Sequence, residues 1–242
     1  VFFRLEPARQ DLLIERWCRE VLNVLSIRLT MLGQTPPGKV SSVLFVANHI
    51  SWLDILILNA GRRLRFVAKA EVRGWPLIGW MAARTDTLFL KRANPSQLAR
   101  IVETAATRLR RGDCVAYFPE GTTTDGTSVQ VFHSGLFEAA IAAQARIWPV
   151  GISYRRDDGL IDTDIAFLGS QSLVSSILNV LARPATQARL SFASPVESSA
   201  GDRRRLTDWC QRAVEQCLAG PGTCSPLSER SGGTPLPSLV HP

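Results

Sequence analysis

The 242 residues carry 45% hydrophobic and 20% charged side chains, a balance that supports a buried core without disulfide or metal staples and excludes a disordered chain. A formal net charge of +7 favours anionic partners such as nucleic acid, anionic lipid or a phosphorylated small molecule. The arginines nevertheless fall in short groups without interleaved aromatics, and no helix-turn-helix or zinc-finger pattern accompanies them, so no nucleic-acid partner is expected.

Residues from about 8 to 26 read as an amphipathic helix, with Leu12, Leu13, Trp17, Val21, Leu22 and Leu25 at helical spacing. A short apolar segment, Ile27 to Leu32, and a Pro36-Pro37-Gly38 turn follow. Apolar β-type runs then alternate with helical patterns. The runs are Val43–Ala47, Arg65–Ala68, Thr87–Leu90, Cys114–Phe118, Ile147–Tyr154, Asp164–Leu168 and Arg189–Ala193. Ser96 to Arg111, Ser134 to Gln144 and Arg203 to Leu218 carry helical stripes, the first closed by Gly112. The alternation predicts one α/β domain with a mixed, largely buried central sheet flanked by helices, preceded by the N-terminal amphipathic helix. The expected organisation is a helical, membrane-associated segment over 1–35, a folded domain over 36–219 and a disordered tail over 220–242, where Gly, Pro and Ser accumulate.

No apolar run reaches the roughly eighteen residues that a transmembrane helix needs. The chain begins at Val1, which leaves room for an anchor upstream. Five cysteines, an odd number without a Cys-x-x-Cys pair, point to reduced thiols and to no metal site.

Two constellations carry chemistry. Asn48-His49-Ile50-Ser51-Trp52-Leu53-Asp54 follows the apolar run that ends at Ala47, and strand ends are where α/β folds place their sites. Five residues on an ideal helix rotate about 140°, so His49 and Asp54 can meet only if His49 precedes the helix or sits in its first turn. A carboxylate on one imidazole nitrogen fixes the tautomer and leaves the other nitrogen as a base. Taken alone, the motif also fits a capping Asn48 beside a surface histidine. The second constellation, Phe118-Pro119-Glu120-Gly121-Thr122-Thr123-Thr124, comes at the end of the run Cys114–Phe118. It brings a carboxylate, a flexible backbone and hydroxyls to a strand end, where such a loop can meet a phosphate or an oxyanion. A plain polar turn is the alternative.

Together, Asn-His-x4-Asp and then Phe-Pro-Glu-Gly-Thr resemble the glycerolipid acyltransferase family, whose members include 1-acylglycerol-3-phosphate acyltransferases. The likeness extends to Phe66-Val67-Ala68-Lys69 with Glu71, to Gly74-Trp75-Pro76 and Gly79, to Thr87–Arg92, and to Trp148-Pro149-Val150. It covers roughly residues 40 to 155 in order. The resemblance implies an O-acyltransferase in membrane lipid biosynthesis. It moves a fatty acyl group from acyl-carrier protein or acyl-CoA, a co-substrate and not a resident cofactor, to the hydroxyl of a lysolipid.

His49 would be the general base, oriented by Asp54. Glu120, Gly121, Thr122 and Thr123 would form the substrate-binding loop that holds the acceptor or the oxyanion, and Arg92 with Lys69 would bind an anionic head group. Thr123 stands where the lysophosphatidate-acylating members usually carry arginine, and the Glu-Gly-Thr-Thr form resembles the lyso-ornithine lipid acyltransferase branch. Both lysolipids therefore stay open as acceptor. His133 is weighed as a second acid–base group, with an incidental surface histidine as the plainer reading.

The implied setting is a membrane surface on its cytoplasmic face. Gly74–Met81 with Trp75 and Trp80, the N-terminal helix and Leu173–Leu181 are the candidate contacts. A catalytically inactive lipid-binding relative is the alternative. A serine hydrolase is excluded by the lack of a Gly-x-Ser-x-Gly motif.

Overall fold

The computed structural model describes residues 6–38, 40–69, 87–90, 95–169 and 171–220. Their strands are Ile27–Gly33 (β1), Val43–Ala47 (β2), Arg65–Lys69 (β3), Leu88–Leu90 (β4), Cys114–Tyr117 (β5), Arg146–Arg155 (β6), Thr186–Phe192 (β7) and Val196–Glu197 (β8). Their helices are Pro7–Val24 (α1), Leu53–Gly61 (α2), Pro95–Arg110 (α3), Phe137–Ala143 (α4), Leu173–Leu181 (α5) and Arg203–Ala219 (α6). The strands join in one sheet of order β1-β7-β6-β2-β5-β3-β4, with β8 on β6. The pairs of β6 with β7 and with β8 are antiparallel and the others are parallel, so the sheet is mixed as expected.

β2 lies at the centre, and all five of its residues are buried. Because successive side chains point to opposite faces, Val43, Phe45 and Ala47 enter a core with Cys18 and Leu22 of α1 and Leu53, Leu56 and Ile57 of α2. Leu44 and Val46 enter the other core, with Leu109 of α3, Phe137 of α4 and Leu206, Cys210 and Val214 of α6. Burial on both faces explains why the run reads as continuously apolar and not as alternating.

α1 buries Cys18 and Leu22, with Ile14 and Val21 packed at the margin, while Leu12, Leu13 and Trp17 stay exposed. Its inward stripe is therefore rotated from the one that the spacing suggested. The expected helical segment 1–35 ends at Val24. Ser26 turns the chain at φ 55°, and Ile27–Gly33 becomes the sheet's edge strand, in parallel register with Thr186–Phe192.

Asp164–Leu168, expected as a strand, forms none: it begins within a 3₁₀ turn at Thr163–Ile165 and continues as loop. Asp162 and Asp164 are both ion-paired to Arg183, and the Phe167 N–H goes to the Ile50 carbonyl (2.9 Å). The segment's polar groups are thus used by a loop and not by a ladder. The expected tail lies outside the described residues, apart from Gly220. Cys18, Cys114 and Cys210 are buried free thiols, whereas Cys217 is disulfide-bonded, against the expectation of reduced thiols. Among the described residues no helix is long and apolar enough to cross a membrane.

Candidate active site

β2 stops at Ala47, and α2 starts at Leu53 after an N-cap at Trp52. His49 therefore sits in the connecting loop, before the helix, which is the arrangement its spacing to Asp54 requires. Asp54 occupies the first turn of α2, where the helix dipole favours a carboxylate. Its Oδ2 accepts the Ile50 N–H (2.7 Å) and the Ser51 N–H (3.0 Å) and lies 2.7 Å from His49 Nδ1. A neutral imidazole that donates Nδ1–H to this carboxylate leaves Nε2 as its acceptor nitrogen, and among the described residues nothing bonds to Nε2. The His49 side chain is 20% exposed, so the ring is in part open to solvent.

The second constellation holds the first by its main chain. Glu120 Oε1 accepts the His49 N–H at 2.6 Å, and Oε2 accepts the Gln130 N–H at 2.8 Å. Thr124 donates its N–H to the His49 carbonyl at 2.8 Å, with its hydroxyl at 3.3 Å from the same oxygen. Phe118 stacks on the imidazole, with ring centroids 4.1 Å apart and planes 9° from parallel. His49 is thus gripped at its N–H, its carbonyl, its Nδ1 and one ring face. Gly126 (φ 82°) lets the following loop press on Ile50, where a Cβ would come within 2.8 Å of the Ile50 Cδ1.

The expected site residues divide accordingly. His49 and Asp54 meet, the pairing that the resemblance implied and the spacing allowed. Glu120 is 4% exposed, and both of its oxygens are used on backbone donors, so it braces the loop. Burial pushes its carboxyl above the ordinary glutamate value, while the N–H groups of Gln130 and His49 pull it back. Gly121 takes φ 68° and donates its N–H to the Phe118 carbonyl (3.1 Å). Thr122 is exposed at the mouth of the loop. The Thr123 hydroxyl donates to the Phe167 carbonyl, tying the loop to the segment before α5. Lys69 ends β3, but its side chain lies outside the described residues, as do Arg92, Trp75 and Trp80. His133 is exposed and joins this region through its main chain, donating its N–H to the Pro119 carbonyl (2.9 Å).

Tyr154 is the residue that sequence reasoning missed, and Asn48 the one whose capping alternative the fold overturns. Asn48 does not cap a helix. It is fully buried, and its amide bonds both the N–H (2.7 Å) and the carbonyl (3.0 Å) of Ile152 on β6. Tyr154 donates its hydroxyl to Asp54 Oδ1 (2.7 Å). Its signal was the two-residue alternation Val150, Ile152, Tyr154, which places it on the α2 face of β6.

The thiols offer no competing nucleophile among the described residues. Burial pushes Cys18 up to about 12 and raises Cys114 and Cys210 as well, which keeps them protonated. Nor do His, Cys, Asp and Glu there gather into a metal site. The chemistry on offer is proton transfer at His49 Nε2.

Comparison with known proteins agrees with this geometry. The family model described as Acyltransferase matches residues 28–153, more than half of the chain. A lyso-ornithine lipid O-acyltransferase of Pseudomonas aeruginosa is 37% identical over 225 residues, 93% of this chain and 84% of that protein. A 1-acyl-sn-glycerol-3-phosphate acyltransferase of Neisseria meningitidis is 29% identical over 202 residues, 83% of this chain and 78% of that protein. The crystal structure of the 1-acyl-sn-glycerophosphate (LPA) acyltransferase PlsC from Thermotoga maritima aligns with a TM-score of 0.61 at 21% identity. It covers 90% of this chain and 86% of that one, and so shares the fold. A family model that matches more than half of the chain and a relative at 37% identity aligned over nearly all of it make this chain a member of the acyltransferase family.

Proposed function

We propose that the chain transfers a fatty acyl group from an acyl-carrier protein or CoA thioester to the hydroxyl of a lysolipid, with lyso-ornithine lipid as the preferred acceptor. The observation that carries the reading is His49, held at four points with Nε2 left for the acceptor. His49 Nε2 takes the hydroxyl proton as the acceptor oxygen attacks the thioester carbonyl. The tetrahedral intermediate then collapses, the C–S bond breaks, and the departing thiolate receives the proton from His49. The acceptor alcohol is itself the nucleophile, so no acyl-enzyme forms. Asp54 balances the imidazolium charge while it lasts.

Preference for the aminolipid is supported by Thr123. An arginine there would supply a bidentate phosphate ligand, whereas the threonine hydroxyl is spent on Phe167. The named relative at 37% identity points the same way. Lys69 and Arg92 remain the proposed cations for the acceptor's anionic group, and exposed Thr122 is proposed to contact it.

The lipid is reached at a membrane surface, on its cytoplasmic face. The support is apolar exposure: Leu12, Leu13 and Trp17 on α1, and Val174, Leu178 and Leu181 along one face of α5. α5 adjoins the site, since Ser176 accepts the Trp52 indole N–H at 3.1 Å.

Purified protein offered lyso-ornithine lipid and 1-acylglycerol-3-phosphate in parallel, with each thioester, tests the reading by product mass spectrometry. Acyl transfer to lyso-ornithine lipid is expected. Transfer to 1-acylglycerol-3-phosphate alone refutes the acceptor preference, and transfer to neither refutes the reaction.

A further inference from the structure

β6 is twice as long as β2, ten residues against five, and the excess has a use. Ala47, the last residue of β2, pairs with Val150, so Tyr154 lies about 13 Å farther along β6 at 3.3 Å per residue. Its side chain, on the same face as those of Val150 and Ile152, reaches the start of α2. There the Tyr154 hydroxyl meets Asp54 Oδ1 at 2.7 Å. Both residues are buried, Asp54 at 0% and Tyr154 at 1% exposure.

An ionised carboxylate out of water needs its lone pairs matched by donors. Oδ2 has three N–H groups, those of His49 Nδ1, Ile50 and Ser51. Oδ1 has the phenol. Among the described residues His49 is the sole basic group in ion-pairing range of Asp54.

We propose that Tyr154 is a positioning residue of the acyl transfer, whose phenol O–H fixes the Asp54 carboxylate and tempers its pull on the His49 proton. The proposal rests on His49 being the base. The titratable groups facing Asp54 are His49, Glu120 and Tyr154 itself. Burial, then the Asp54 charge, holds the phenol well above the ordinary tyrosine range, so it stays a donor and takes no part in proton transfer. By drawing charge from Oδ1, the phenol lowers the affinity of the Asp54–His49 pair for a proton. Without it the carboxylate holds an imidazolium more tightly and loses one of its orienting bonds.

Tyr154→Phe keeps the ring and removes the donor. The expected result is a roughly tenfold fall in kcat, an acceptor KM within about twofold of the original, and an acid limb of kcat/KM moved to higher pH. An unmoved acid limb overturns the proposal, whether or not kcat falls. Asp54→Asn supplies the partner measurement. With the charge gone, adding Tyr154→Phe is expected to lower kcat by less than about twofold, because the two residues act as one unit. The same tenfold loss in both backgrounds means that Tyr154 acts only through packing, which overturns the proposal.

A probe that leaves the packing intact uses the chain's two tyrosines. In a Tyr117→Phe protein, biosynthetic fluorotyrosine changes Tyr154 alone. Its more acidic phenol is a stronger donor and is expected to move the acid limb to lower pH; no movement overturns the proposal. His49→Ala is assayed alongside. Turnover by His49→Ala removes the base, and the proposal with it, whereas a dead His49→Ala beside an unperturbed Tyr154→Phe refutes the Tyr154 role alone.

Discussion

Replacing Glu120 by glutamine separates two roles that a sequence motif cannot tell apart. A carboxylate that bound the acceptor would, on becoming an amide, raise the acceptor KM and leave stability alone. The structure leads to a different expectation. Both carboxylate oxygens accept main-chain N–H groups, from His49 at 2.6 Å and from Gln130 at 2.8 Å, in a site that is 4% exposed. Glutamine has one acceptor oxygen, so its amide NH2 must face one of these donors. That leaves a buried N–H unpaired, at about 1–3 kcal/mol, and reduces the remaining bond from charge-assisted to neutral, about 1 kcal/mol more. Relief of carboxylate burial offsets part of this, and the net loss is about 2 kcal/mol. At about 2–4 °C per kcal/mol for a domain of this size, Tm should fall by about 4–8 °C.

The pH dependence has a definite sign. Because the folded-state value of Glu120 is raised, the folded chain binds the proton more tightly than the unfolded chain. That contribution to stability is fully present below the ordinary glutamate value and is lost as pH rises through the raised one. In Glu120→Gln this part of the profile should be absent. Thermal unfolding from pH 4 to pH 8, with steady-state kinetics at the optimum, checks both statements. A higher acceptor KM with an unchanged Tm would refute the bracing role.

His49→Ala should lower turnover by about 10²–10⁴-fold, the span that a positioned base contributes, with near-native thermal unfolding; near-normal kcat in the folded variant refutes the mechanism. Asn48→Asp sets a carboxylate oxygen against the Ile152 carbonyl in a fully buried site. It should cost at least about 2 kcal/mol, seen as a Tm drop of about 4 °C or more. Thr123→Val removes the bond to the Phe167 carbonyl at about 1 kcal/mol. If Thr123 acts within the loop, the acceptor KM should stay within about twofold, and a large rise in KM would assign the hydroxyl to the substrate instead.

The acyltransferase chemistry was legible in the sequence because it resides in short, ordered blocks. The two loops follow two buried parallel strands, β2 and β5, that are neighbours in the sheet. Parallel neighbours deliver their C-terminal loops to one edge, and this pairing brings together in space the two motifs that the sequence joined only through their resemblance to a family. Roles within the blocks were less legible. Glu120 and Thr123 look like ligands in a linear motif, and only the fold shows their polar atoms turned onto His49, Gln130 and Phe167.

Length and periodicity also misled in places. Ile27–Gly33 is too short to declare its pairing without β7, and Asp164–Leu168 lost its ladder to Arg183 and Ile50. Most of all, the sequence determined the His49–Asp54 pair, whose spacing is local. The tertiary structure alone decided that Tyr154, a hundred residues from Asp54 in the chain, completes the carboxylate's donors. A hydrogen bond of that span depends on how far β6 overruns β2, and strand register is a property of the assembled sheet.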